Sequence, residues 1–457
     1  MAAESADLVI LGGGSGGYAC ALRASQLGKS VILIDRDKLG GTCLHRGCIP
    51  TKALLHAAEV ADSARESEAF GVRATLDGID MPKVNAYRDQ VVGRLYKGLQ
   101  GLVKSRNVHM VEGTGRLVGP NAVQVGDTIY TGTTVVLATG SYARTLPGLE
   151  IGGRIMTSDQ ALELDYVPKS VIVLGGGVIG VEFASIWRSF GAEVTVVEAL
   201  PHLVPNEDEA CSKALERAFR KRGITLSLGV RFASATQNAD GVQVGLEDGT
   251  TLQADLLLVA VGRGPSTAGM GFDEQGITMD RGWVLVDDRL RTNLPNVYAV
   301  GDITPGLQLA HRGFQQGIFV AEEIAGLNPE VIPDINIPRV TYCEPEVASV
   351  GLTEAQAREQ YGEAVTVYEY NLGGNGKSQI LATTGFIKLV QRTDGPVVGV
   401  HMVGSRVGEQ IGEAQLIVNW EANPQDVASL IHAHPTQNEA MGEAHLALAG
   451  KPLHAHA

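Results

Sequence analysis

The sequence predicts an α/β fold built on two Rossmann-like dinucleotide-binding units. A glycine-rich strand–turn–helix pattern occurs twice, and each copy is followed by a strand ending on an acidic residue at the same distance from the first glycine. The length of 457 residues is also more than one hydrophobic core serves and suggests about three domains.

The first copy opens with the apolar strand Asp7–Leu11, which runs into Gly12-Gly13-Gly14-Ser15-Gly16-Gly17. Gly12, Gly14 and Gly17 fill the pattern G-x-G-x-x-G, a helix is expected from Tyr18 to Leu27, and the strand Val31–Ile34 ends on Asp35. The second copy runs from the strand Val171–Leu174 through Gly175, Gly177 and Gly180 to a helix expected over Val181–Phe190. Its strand Val194–Val197 ends on Glu198. In each copy the first glycine permits a tight turn, and the second lets backbone N–H groups approach a pyrophosphate. The third allows close helix–strand packing. The helix N-terminus faces the negative charge. Asp35 and Glu198 are expected to accept hydrogen bonds from ribose hydroxyls. No arginine follows Glu198, in Ala199-Leu200-Pro201, to receive a 2′-phosphate, so this unit is expected to prefer NAD over NADP. Gly301-Asp302, after the strand Val297–Val300, is expected to return to the first site, and with the double fingerprint it favours FAD there.

Between these elements lies Gly40-Gly41-Thr42-Cys43-Leu44-His45-Arg46-Gly47-Cys48-Ile49-Pro50-Thr51-Lys52. Cys48 stands at the mouth of a helix with proline in its first turn. The helix dipole and Lys52 favour its thiolate. Cys43 lies outside that turn, so Cys43 is expected to exchange with substrate and Cys48 to face the flavin. Near the other end, His434-Pro435-Thr436-Gln437-Asn438-Glu439 offers an imidazole and a carboxylate able to hold one of its nitrogens. A thiol pair with a proton carrier suits reversible disulfide chemistry. His432 has no evident partner and reads as structural. His311 reads as support for the flavin site. The stretches Phe386–Val390 and Val397–Val403, joined through Asp394-Gly395, read as a hairpin.

Composition narrows the function classes. A net charge of −14 argues against nucleic acid or an anionic membrane as a partner. The N-terminus lacks the basic and apolar regions of a signal sequence, and no apolar run is long enough to span a bilayer. Five cysteines, with only Cys43 and Cys48 closely spaced, fit a reducing cytoplasm with one dedicated redox pair rather than a secreted disulfide framework. No metal site is expected.

These motifs together resemble the flavin-dependent pyridine nucleotide–disulfide oxidoreductases. The resemblance spans both fingerprints, Gly40 to Lys52, Ala138-Thr139-Gly140-Ser141, Val300-Gly301-Asp302, Leu309-Ala310-His311 and Leu430 to Glu443. It implies a FAD-binding domain with a redox-active disulfide over 1–150 and an NAD-binding domain over 151–270. A central domain over 271–338 would complete the FAD site, and an α+β dimerisation domain over 339–457 would make the protein a homodimer. As FAD contacts it implies Gly12, Gly14, Ser15, Gly16, Gly17, Asp35, Gly41, Thr42, Lys52, Gly115, Thr139, Gly140, Ser141, Gly301, Asp302, Leu309, Ala310 and His311. For NAD it implies Gly175, Gly177, Gly180, Glu198, Val230 and Gly262, with Glu182 near the nicotinamide and paired with Lys52. Cys43, Cys48, His434 and Glu439 would be catalytic, the last two serving the opposite subunit.

The implied reaction is oxidation of protein-bound dihydrolipoyl groups, with electrons passing through Cys43–Cys48 and FAD to NAD. No lipoyl-bearing stretch precedes Met1, so the lipoyl group would come from an acyltransferase or a glycine-cleavage carrier protein. The alternatives are a reductase of a low-molecular-weight disulfide such as glutathione or mycothione, and a mainly structural docked flavoprotein subunit. His45-Arg46 stands where the family often has Asn-Val, Asp35 where Glu is usual, and Arg312-Gly313 where many members have Lys-Ala.

Overall fold

The computed structural model describes residues 2–331 and 333–454. Met1, where the segment expected to lack a signal sequence begins, Ile332, and residues 455–457 lie outside the described residues.

The first sheet has seven strands, in the order His109–Glu112, Val31–Asp35, Ala2–Leu11, Thr128–Leu137, Ala122–Val125, Gly115–Gly119, with Val297–Ala299 also paired to Thr128–Leu137. Ala2–Leu11 runs parallel to both neighbours, Leu8 lying opposite Val31 on one side and Thr134 on the other. Leu8, Val9 and Ile10 are fully buried, as in a parallel strand covered on both faces, where apolar residues run on without alternation. The helix Ser15–Gln26 packs against Ala310–Ile324 with almost nothing between the backbones. A Cβ at Gly317 would stand 2.2 Å from the Gly16 carbonyl oxygen. That contact, together with the inserted strand Val297–Ala299, carries Gly301-Asp302 back to the first glycine turn.

The second sheet is wholly parallel, in the order Thr225–Leu228, Glu193–Glu198, Ser170–Leu174, Leu256–Val259, Ile155–Thr157. The C-terminal sheet is antiparallel, in the order Arg339–Thr341, Glu346–Gly351, Val397–Gly404, Phe386–Arg392, Val365–Asn371. The expected hairpin is its centre. The helices Val407–Asn419 and Glu439–Leu448 pack on this sheet. The α/β class with two Rossmann-like units and a C-terminal α+β unit therefore holds.

Three differences from the sequence reading have local causes. The two fingerprint helices begin at Ser15 and Val178, earlier than expected, because the helical turn starts inside the glycine motif. The thiol segment is itself helical over Gly41–Arg46. Before the strand His109–Glu112 stands a long, polar helix, Met81–Ser105, that the sequence did not suggest. The Asp80 side chain caps it by accepting the Lys83 N–H.

The thiol helix, the second unit and the C-terminal sheet share a core. One apolar cluster joins Leu54 and Ala58 of the helix Cys48–Glu66, Phe183 and Trp187 of Val178–Phe190, and Val347, Phe386 and Val403 of the C-terminal sheet. A buried charge spans the same junction: Lys388 Nζ lies 2.8 Å from Asp208 Oδ1 and 2.8 Å from Glu354 Oε2. Lys388→Ala leaves Asp208 without its cation in the interior, and the expected cost is about 3–5 kcal/mol. The check is the urea midpoint of the holoenzyme, which should fall; an unchanged midpoint would mean that Asp208 finds solvent or another partner.

Candidate active site

The thiols owe their placement to a pair of left-handed glycines. Gly40 (φ 107°) and Gly41 (φ 59°) turn the chain into the short helix Gly41–Arg46, which carries Thr42 and Cys43. Gly47 breaks that helix, and Cys48 opens the next, Cys48–Glu66, with Pro50 in its first turn. Both thiols are half-buried. Cys43 donates to the Cys48 sulfur, which is the main reason that Cys48 is held down to about 7; Lys52 adds to this against the effect of burial. Cys43 moves well above the ordinary thiol range, first because it is that donor and then because it is buried. The negative charge therefore resides on Cys48.

Lys52 sits one helical turn beyond Cys48. Its Nζ lies 2.8 Å from Glu182 Oε2 and 2.9 Å from Oε1, and 4.7 Å above the Tyr342 ring. The Glu182 side chain is only 3% exposed. It also accepts the Tyr342 backbone N–H at 3.0 Å. One cation thus ties the thiol helix to the second Rossmann helix and to the C-terminal unit.

The two glycine turns have the same build. A Cβ at Gly17 would stand 1.8 Å from the Gly12 carbonyl oxygen, and one at Gly180 would stand 1.9 Å from that of Gly175. Asp35 accepts the Gly13 N–H, and Glu198 accepts the Gly176 N–H at 2.6 Å. Gly14 approaches Gly41 backbone to backbone, where a Gly41 Cβ would lie 2.7 Å from the Gly14 Cα. Gly12, Asp35, Arg36, Gly115 and Thr139 line one cleft. Side-chain-free turns, open helix starts at Ser15 and Val178, and a carboxylate beside each fit an adenine dinucleotide in both units.

The remaining residues fall around these turns. Gly16 packs on Val300 and Gly313. Thr139 Oγ1 donates to the Ser266 carbonyl at 2.6 Å, and Gly140 is left-handed. Ser141 donates to Asp302 and accepts Arg263 Nε–H at 2.7 Å. Gly301 precedes Asp302 in a short 3-10 turn. Leu309 caps the helix begun by Ala310. His311 is exposed and bonds the Pro338 carbonyl at 2.7 Å. In the second unit, the Val230 N–H donates to the Glu198 carbonyl at 3.2 Å. Gly177 and Gly262 have open space where a side chain would stand.

His434 Nδ1 lies 2.8 Å from Glu439 Oε1, whose other oxygen accepts the Thr436 N–H at 2.7 Å. The imidazole is 78% exposed. Within one chain the thiols bond to each other and Cys43 to Ser15, not to His434, which faces solvent from the C-terminal unit. One expectation needs correcting: His432 does have a carboxylate partner, Glu413, at 2.9 Å, supplied by the helix Val407–Asn419 rather than by its own segment. Tyr342 and Arg263 also stand at the site, and no local pattern in the sequence marks them. Among the described residues, no group of three or more His, Cys, Asp or Glu is placed to hold a metal, and no helix is long and apolar enough to cross a membrane.

A fold of two dinucleotide units with a thiol pair between them defines a disulfide oxidoreductase. The family model for pyridine nucleotide-disulphide oxidoreductases matches residues 6–317, and that for the family's dimerisation domain matches residues 337–445. The chain belongs to this family, with FAD and NAD as its cofactors and the homodimer as its assembly. It is 39% identical to a dihydrolipoyl dehydrogenase of Bacillus subtilis, covering 98% of this chain and 99% of the relative. It is 40% identical to the mitochondrial dihydrolipoyl dehydrogenase 1 of Arabidopsis thaliana, covering 98% and 91%. The crystal structure of LpdA from Mycobacterium tuberculosis superposes with a TM-score of 0.90 at 28% identity, covering 98% and 100%.

Two outcomes test this geometry. Above a pH of about 7 Cys48 is a thiolate, so in the reduced protein its alkylation rate should rise through that value. Lys52→Met removes the attracting charge and should move the profile upward by about one unit or more; an unmoved profile would show that Lys52 does not act on the thiol. Gly180→Ala should abolish NAD binding by calorimetry while FAD stays bound, because its Cβ collides with the second turn alone.

Proposed function

We propose that this protein is a dihydrolipoyl dehydrogenase, oxidising protein-bound dihydrolipoyl groups and reducing NAD. The single observation that carries the reading is the asymmetric thiol pair above Lys52 and Glu182, with the charge on Cys48 and the proton on Cys43. It lies in a chain similar over nearly its whole length to dihydrolipoyl dehydrogenases. Residues 1–150 hold FAD, 151–270 hold NAD, 271–338 complete the FAD site, and 339–457 pair the subunits. The lipoyl carrier is an acyltransferase or glycine-cleavage protein, and the site of action is the cytoplasm.

In the oxidised enzyme Cys43 and Cys48 are joined. A substrate thiol gives its proton to Nε2 of His434, which comes from the opposite subunit, while its sulfur attacks Cys43 Sγ. The Cys43–Cys48 bond breaks, and Cys48 leaves as a thiolate beside Lys52. The second substrate thiol attacks the substrate sulfur of the mixed disulfide, its proton passing by way of His434 to the Cys43 sulfur that it displaces, so substrate is oxidised and the protein pair reduced. Glu439 holds the His434 ring by Nδ1, leaving Nε2 toward the substrate. When bound, FAD supplies the two-electron carrier between the protein dithiol and NAD. Gly12 to Gly17 and Gly175 to Gly180 hold the two pyrophosphates, and Asp35 and Glu198 hold the riboses.

Steady-state oxidation of free dihydrolipoamide with NAD against NADP tests the assignment. A strong preference for NAD is expected, with Glu198→Ala narrowing it chiefly by weakening NAD use. Equal kcat/KM for the two nucleotides, or no turnover of dihydrolipoamide, would refute it.

A further inference from the structure

Beside the His434–Glu439 pair lies a second carboxylate that the reaction does not use. Glu413, on the helix Val407–Asn419, reaches both flanks of the His434 loop. Its Oε1 lies 2.9 Å from His432 Nε2, two residues before His434, and its Oε2 accepts the Asn438 side-chain N–H, one residue before Glu439. The His432 side chain is only 11% exposed. Its ring lies against the helix that carries Glu439, where a Cβ at Gly442 would come within 2.5 Å of His432 Nδ1. The loop has two other ties, Asn375 Nδ2 to the Thr436 carbonyl and Gln437 Nε2 to the Ser405 carbonyl. These ties are neutral and hold the middle of the loop, whereas Glu413 holds its two ends with one charged group.

We propose that Glu413 is a positioning residue for proton transfer by His434, bracketing the His434–Glu439 pair through His432 and Asn438. An exposed imidazole loses little by wandering, and its useful geometry depends on the backbone on either side. Fixing residues 432 and 438 from one rigid helix sets both the histidine and the carboxylate that orients it. The inference rests on the proposed dihydrolipoyl oxidation.

Anaerobic stopped-flow reduction of the FAD-loaded homodimer tests it, comparing dihydrolipoamide, which needs His434, with NADH, which does not. Glu413→Ala should slow reduction by dihydrolipoamide by roughly tenfold or more and leave reduction by NADH unchanged. Glu413→Gln, which keeps an acceptor for His432 and a polar atom for Asn438, should stay close to wild type. A Glu413→Ala enzyme with a normal dihydrolipoamide rate overturns the proposal, as does an equal loss in both reactions. Should Glu413→Ala fail to form dimers, His432→Asn decides: a selective loss with dihydrolipoamide supports the bracket and a normal rate overturns it. A wild type that dihydrolipoamide does not reduce removes the underlying reading instead, before any variant is made.

Discussion

The contact between Lys52 and Glu182 is the interaction on which the rest of the site depends. A cation one turn below Cys48 helps the thiolate, but a half-buried cation needs a counter-charge, and Glu182 supplies it from the second Rossmann helix. The Tyr342 backbone N–H takes a further lone pair of that carboxylate, and the Tyr342 ring lies under the ammonium. Each partner is satisfied only when all three units are in place. Removing Lys52 would leave the Glu182 carboxylate uncompensated in the interior, a loss on the order of 3–5 kcal/mol. Glu182 itself works against the charge on Cys48, so what the pair adds is the tie of the second dinucleotide unit to the first through the same cation that favours the thiolate.

Around that junction the molecule repeats one solution. Both glycine turns bring backbone so close to backbone that a methyl group at Gly17 or Gly180 would overlap a carbonyl oxygen. In both, the carboxylate closing the next strand accepts the N–H of the residue after the first glycine, Gly13 in one turn and Gly176 in the other. The carboxylate is therefore held in place by the turn beside it and is already oriented. What differs is the neighbourhood: the first turn faces Gly41 and the thiol helix, while the second has Gly177 open to solvent.

Much of this was legible in the sequence because its signals are local. The glycine patterns, the apolar strands and Cys48 ahead of Pro50 each lie within a few neighbouring residues, and the physics that shapes them is short-range. The helix Met81–Ser105 was not legible, being polar and mostly exposed, with a capping aspartate and Pro82 in the first turn as its local signs. Nor was the partner of His432. Glu413 and His432 lie 19 residues apart with no periodicity linking them, and only the packing of Val407–Asn419 on the C-terminal sheet brings them together. Lys52 and Glu182 are 130 residues apart; their pairing followed from the family resemblance rather than from composition or spacing.

One constraint remains. The thiols lie in the first unit and His434 faces solvent from the third, so a single chain holds the parts of the reaction without bringing them together. Exposed Trp420, Leu430 and Ile431 mark the surrounding C-terminal surface as one that a second subunit would cover. The most direct measurement is dihydrolipoamide oxidation by a purified mixed dimer of a Cys43→Ser chain and a His434→Gln chain, each nearly inactive as a homodimer. If thiols and imidazole come from opposite subunits, one of the two sites collects both lesions and the other is intact, so activity should return toward half of wild type. A mixed dimer no more active than its parents would contradict the shared site.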